Sequence, residues 1–208
     1  MITDEQPSVI IGVTGHRNFP ADDPRISALV GTELKAIGAE RPGSPFLLLT
    51  GLAEGADRLG AMAARRVLDA RIGAVIPLPR DLYEQDFADQ ASRDEYAALL
   101  AQSAFQLEAP ILSSRAEITD YGEPRNRQYA WQGAYLAQTA QILIAIWDGA
   151  PARGTGGTAH VVDWFLKGAA PADYDLSRAE RPAALAGVEK KLIHINPLTG
   201  VVEHKSAL

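Results

Sequence analysis

Six short apolar runs, each closed within two residues by a glycine or a proline, set the limits on what this chain can fold into. They are SVIIGVT (8–14), FLLLT (46–50), IGAVIPL (72–78), AFQLEA (104–109), QILIAIW (141–147) and KLIHIN (191–196). Most lack the alternation of apolar with polar residues that a half-buried strand shows. Continuous apolar runs of this length fit strands buried on both faces, which means a parallel sheet sandwiched between helices. Helical stretches fall between them. Residues 24–40 place Ile26, Leu29, Val30, Leu34 and Ile37 at helical spacing, and 55–70 form an Ala-, Leu- and Arg-rich helix with Leu59, Met62, Ala63 and Val67 as its stripe. Residues 92–103, 125–140 and 157–168 also read as helix. Strand–helix alternation with right-handed crossovers predicts an α/β fold: a three-layer, Rossmann-like, doubly wound and mostly parallel sheet of about six or seven strands.

Length and composition fit a single domain over 1–208 with a sizeable core. No apolar run approaches the roughly 18–20 residues of a membrane span, and the N-terminal MITDEQPS lacks the basic and apolar regions of a secretory signal. Without cysteine there is no disulfide, thiolate metal site or cysteine nucleophile, so a cytoplasmic protein is expected. The net charge of −6 argues against broad nucleic-acid binding, which needs a basic surface. The cations that could meet an anion are local: Arg17 beside His16, Arg80, Arg125 with Arg127, and Arg153. Two stretches break the pattern. Residues 110–124 read as a polar loop or flap, and 168–189 mix Pro, Ala and charge without a period.

In open parallel sheets, ligands bind beyond the carboxyl ends of the strands, where strand order reverses. The richest strand end is Asp148-Gly149 followed by Arg153-Gly154-Thr155-Gly156-Gly157-Thr158. Its glycines let backbone N–H groups approach an anion, and the following helix adds its free N–H groups and positive end. Thr155 and Thr158 bring hydroxyls and Arg153 a charge, so a phosphate fits this loop. A second glycine-rich end runs from Thr50 and Gly51 through Glu54 and Gly55 to Asp57. Asp57 reads as a carboxylate in a first helical turn, while Glu54 stands between glycines and could bind ribose or do acid–base work. The first strand ends at Gly15-His16-Arg17, with Arg17 a phosphate ligand and His16 a donor to phosphate or base. Arg125 and Arg127 stand at a helix start, where the dipole disfavours cations, which points to an anionic partner. Tyr129, Trp131 and Tyr135 read as packing or a subunit contact.

Several chemistries drop out. The chain has no G-x-G-x-x-G after its first strand, no G-x-x-x-x-G-K-[ST], no G-x-S-x-G and no H-E-x-x-H, and no metal site is expected.

With these loops in view, the chain resembles the Rossmann-like superfamily, often called SLOG, of the "lonely guy" (lysine-decarboxylase-like) phosphoribohydrolases and DNA-processing protein A. Residues 50–58, TGLAEGADR, are similar to the S-G-x-A-x-G-x-D element of DNA-processing protein A. Val13-Thr14-Gly15-His16-Arg17 resembles the G-S-R-like turn after the first strand, and Gly156-Gly157-Thr158 the G-G-x-G-T phosphate loop of the phosphoribohydrolases. The matches span about 8–168. The resemblance implies a nucleotide or nucleotide-derived ligand in the crevice, no required cofactor, and a homodimer. It also implies a glutamate just past the G-T pair for N-glycosidic cleavage, where this chain has His160 and Val161. Binding or sensing of a phosphorylated ligand is therefore the leading expectation. The alternatives are a nucleoside 5'-monophosphate N-glycosidase, with Glu54 or His160 as catalytic group, and a single-stranded DNA-binding protein.

Overall fold

The computed structural model describes residues 6–18, 23–152 and 154–207. Its strands are β1 (Val9–Gly15), β2 (Phe46–Thr50), β3 (Arg71–Ile76), β4 (Phe105–Glu108), β5 (Ile142–Ile146), β6 (Lys191–Ile195) and β7 (Val202–Ser206). Its helices are α1 (Pro24–Glu40), α2 (Ala56–Leu68), α3 (Arg80–Tyr83), α4 (Gln90–Ala101), α5 (Glu123–Thr139) and α6 (Thr158–Lys167), with a 3-10 turn at Glu84–Asp86. All the strands join one seven-stranded sheet in the order β4-β3-β2-β1-β5-β6-β7. β1 to β6 pair in parallel, and β7 returns antiparallel to β6. The fold is the expected α/β, doubly wound, three-layer arrangement.

Burial explains the parallel sheet. Every residue of β2 and β5 is buried, while edge strand β4 alternates in its exposure. One apolar core lies between the sheet and α1, α2 and α4, and a second between the sheet and α5 and α6. The strands β2, β3 and β4 follow one another away from β1, and the chain then crosses back through α5 to put β5 on the other side of β1. That reversal opens the crevice at the carboxyl ends of β1 and β5.

Some local expectations change. Met62 is 44% exposed, not part of the apolar stripe of α2. Leu59 and Ala63 of that stripe are buried, joined by Ala56, Gly60, Ala61 and Ala64, small residues that let α2 lie close on the sheet. Trp131 and Tyr135 pack inside the chain as a stacked pair, centroids 5.7 Å apart, whereas Tyr129 faces the crevice. The 168–189 stretch is strapped over the α5 side. Ser8 and Ala184 form an isolated bridge, the Trp131 indole N–H donates to Asp175 O, and the Tyr135 hydroxyl donates to Glu180 O. Strand β7 was not anticipated: its Val-Glu-His-Lys-Ser has no apolar run, because it pairs on one side only and is mostly exposed. Among the described residues no helix is long and apolar enough to cross a membrane.

Candidate functional site

The β1/β5 crevice holds a cavity of about 420 Å³. Its walls come from the end of β1 (Thr14, Gly15, Arg17), the start of α2 (Asp57), one face of α5 (Asn126, Tyr129, Gln132) and the 154–158 loop. A second hollow, about 440 Å³, lies on the other side of Arg17 and is lined by His16, Trp147 and Asp148. Gly15, Arg17, Gly157 and Thr158 border both.

Close packing dictates glycine at two of these positions. A side chain on Gly15 would run into the Ile146 carbonyl and come within 2.5 Å of Ala56 Cβ, so β1 meets α2 and β5 only without one. Gly156 has φ of +85°, and a Cβ there would stand 2.5 Å from Ala130 N. The 154–158 loop therefore lies directly on α5, and the Thr155 hydroxyl donates to Glu123 Oε1 at 2.9 Å. Gly157 caps α6 with no side chain to satisfy the helix start. The N–H groups of Thr158 and Ala159 have no acceptor among the described hydrogen bonds. Loop glycines, open N–H groups and the positive helix end thus meet at the cavity wall.

Arg17 lines the same cavity. Its guanidinium lies 5.7 Å from the Tyr83 ring centroid and 5.5 Å from that of Tyr129, and donates to Asp86 O at 3.4 Å and Tyr129 Oη at 3.3 Å. Burial works against its charge, but the facing Tyr83, Tyr129, Asp86 and Asp57 outweigh it and raise its pKa. Asp57 is 8% exposed and accepts from Gly51 N at 3.0 Å and Ala53 N at 3.4 Å. Burial pushes Asp57 up to about 6, against the opposing pull of Ala53, Arg17, Thr50 and Gly51. Thr50 also holds the loop, its hydroxyl accepting from Leu52 N at 3.0 Å.

Not every residue singled out from the sequence joins this cavity. Gly15, Arg17, Gly154, Thr155, Gly156, Gly157 and Thr158 line it, and Thr50 and Gly51 hold its floor through Asp57. His16 and Asp148 face the second hollow, His16 Nε2 standing 3.5 Å from Asp148 Oδ1. Gly55 has φ of +74°, and its missing side chain leaves room for His16 O at 2.5 Å. Glu54 does not line the cavity: its Oε1 accepts from Ala88 N at 2.9 Å and from the Ser92 hydroxyl, tying the loop before α2 to the start of α4. Arg80 is exposed and pairs with Glu84 at 2.6 Å. His160 packs flat on Trp164 within α6, its Nδ1 buried and unpartnered. Arg153 lies outside the described residues.

The anionic partner expected for Arg125 is within the chain. Arg125 is buried, pairs with Asp86 Oδ1 at 2.8 Å, and donates to Ile118 O and Leu82 O. Asp86 also accepts from the Tyr121 hydroxyl at 2.8 Å and from Tyr129. This network closes one end of the cavity and fastens the 110–122 loop to it. Asp57, Asp86, Tyr83 and the α5 amides were missed as site residues. For Asp57 a signal existed, since it opens a helix directly after a strand end; the α5 amides repeat on one helical face but look like any solvated side. Among the described residues no cluster of metal-ligating side chains occurs.

No protein-family model matches the chain, and no curated protein matches it. Among solved structures it is similar in fold to DNA processing protein A from Streptococcus pneumoniae, with 15% identity and a TM-score of 0.45. The match covers 76% of this chain and 46% of that one, so the chain spans less than half the length of that protein.

Proposed function

We propose that this chain binds a nucleotide or nucleotide-derived phosphorylated ligand in the β1/β5 crevice. The observation behind it is the 154–158 loop, held flat on α5 by Gly156, which brings the uncapped start of α6 to the wall of a cavity that Arg17 also lines. A phosphate there meets backbone donors on one side and a fixed guanidinium on the other. Some 420 Å³ leaves room beyond the phosphate for a sugar and a base.

Binding, not bond cleavage, is the reading that the geometry favours. Of the two groups offered by the sequence for N-glycosidic cleavage, Glu54 is engaged with Ala88 and Ser92, and His160 stacks on Trp164 inside α6. Neither lines the cavity.

Thermal unfolding across a panel of nucleoside mono- and diphosphates, inorganic phosphate and a short single-stranded DNA tests the proposal. A ligand at about 100 times its Kd stabilises by about 2.7 kcal/mol, enough to move the melt clearly. Arg17→Ala should remove that shift. If no phosphate-bearing compound moves the wild-type melt, the proposal fails. A shift with DNA alone that collapses in salt would move the reading to a nucleic-acid surface.

A further inference from the structure

The floor of the cavity pairs a carboxyl with a carboxamide, and the absence of a side chain at Gly51 makes the pairing possible. Gln132 reaches across from α5 so that its Nε2 occupies the place where a Gly51 Cβ would stand, and Asp57 Oδ2 is 3.1 Å from that same point. Both residues line the cavity, and Arg17 lines it with them. The Asp57 carboxyl takes the Gly51 and Ala53 N–H groups, both on Oδ2. A carboxylate offers about four lone-pair sites, so at least one remains. The Gln132 amide brings two donors and one acceptor to the cavity, and no hydrogen bond among the described residues uses them.

An acceptor with charge beside a neutral group that both donates and accepts is complementary to two adjacent hydroxyls. One hydroxyl donates to the carboxylate, and the other donates to or accepts from the amide. We infer that Asp57 and Gln132 form a subsite for the cis-diol of a ribose, making the ligand a ribonucleotide and not its deoxy counterpart. The inference rests on the nucleotide reading above and adds the sugar class to it. A ribose is the part of a nucleotide next to its phosphate, and the floor residues share one cavity with the 154–158 loop. Because Asp57 is buried, a ligand lacking a hydroxyl leaves a desolvated acceptor without a partner, which is how hydrogen-bonding sites reject such analogues.

Calorimetric titration of the full chain with matched ribo-, 2'-deoxy- and 3'-deoxynucleoside 5'-phosphates tests this. The ribonucleotide should bind about tenfold or more tightly than either deoxy form. Gln132→Met, which keeps the length of the side chain and removes its polar atoms, should bring the ribonucleotide close to the deoxy affinities, whether or not Asp57→Asn folds well enough to measure. Equal affinities in the wild type, or undiminished discrimination in Gln132→Met, overturn the subsite and leave nucleotide binding standing. If none of the three binds the wild type, the nucleotide reading of the crevice falls, and the subsite with it.

Discussion

The side-chain amide of Gln132 fills the space above Gly51 where any other residue would begin its side chain. Glycine there thus makes room for a side chain 81 positions away in the chain, and does not relieve a strained backbone. Gly51→Ala should displace the Gln132 amide, the flexible partner in the clash, and leave the sheet intact. Ribonucleotide affinity should fall about as far as in Gln132→Met, roughly tenfold. The double variant should be no worse than either single one, because both remove the same contact. Calorimetry on the three proteins checks this; additive losses would mean that Gly51 acts elsewhere.

Asp57 makes stability depend on pH. Burial raises its folded pKa from 3.8 to about 6, so between those values the folded chain keeps a proton that the unfolded chain has lost. The stabilisation is complete below about pH 4 and is lost as pH rises through 6. Its size is on the order of 2 to 3 kcal/mol. Urea unfolding of wild type and Asp57→Asn between pH 4.5 and 7 isolates it. The wild type should gain on the variant as pH falls, and parallel curves would contradict the assignment.

The Arg125–Asp86 pair is buried on both sides, with side-chain exposures of 3% and 4%. Removing one partner leaves a buried charge without its counter-ion, at a cost of about 3–5 kcal/mol. Arg125→Met and Asp86→Leu should each be strongly destabilised, and the double variant should lie well short of their sum. Denaturant midpoints of the three decide the matter. Full additivity would show that the two charges do not depend on each other.

Gly156→Ala combines an unfavourable φ of +85° with a Cβ 2.5 Å from Ala130 N. Backbone strain of this kind costs about 1–3 kcal/mol, and here the loop must also lift from α5. Phosphate-dependent stabilisation should drop with it. Gly43→Ala is the control, since Gly43 has φ of +73° but nothing within 4 Å of its Cβ position. It should lose some stability and no binding. A Gly156→Ala protein that still responds fully to ligand would detach the loop from the site.

The parts that were legible in the sequence are those determined by local pattern. Runs such as FLLLT and QILIAIW announced doubly covered strands, and the 154–158 glycines announced the loop at a strand end. Long-range pairing was not legible. Arg125 looked like a cation awaiting a ligand because its partner, Asp86, lies 39 residues earlier in a polar stretch with no motif. Glu54 looked poised in the crevice because its glycine neighbours hid the direction of its side chain, which the Ala88 N–H and Ser92 hydroxyl determine. Edge strand β7 escaped because a strand paired on one side carries no continuous apolar signature.

Arg17, packed against the neighbouring rings of Tyr83 and Tyr129 and held by Asp86 O, has already surrendered its rotational freedom during folding. An arginine free in solution would forfeit about 1.5–2 kcal/mol of side-chain entropy on being fixed by a ligand. In this crevice that loss precedes any encounter, so an anion bound as proposed would meet a guanidinium already in its final pose, and its association would not wait for the side chain to reorganise.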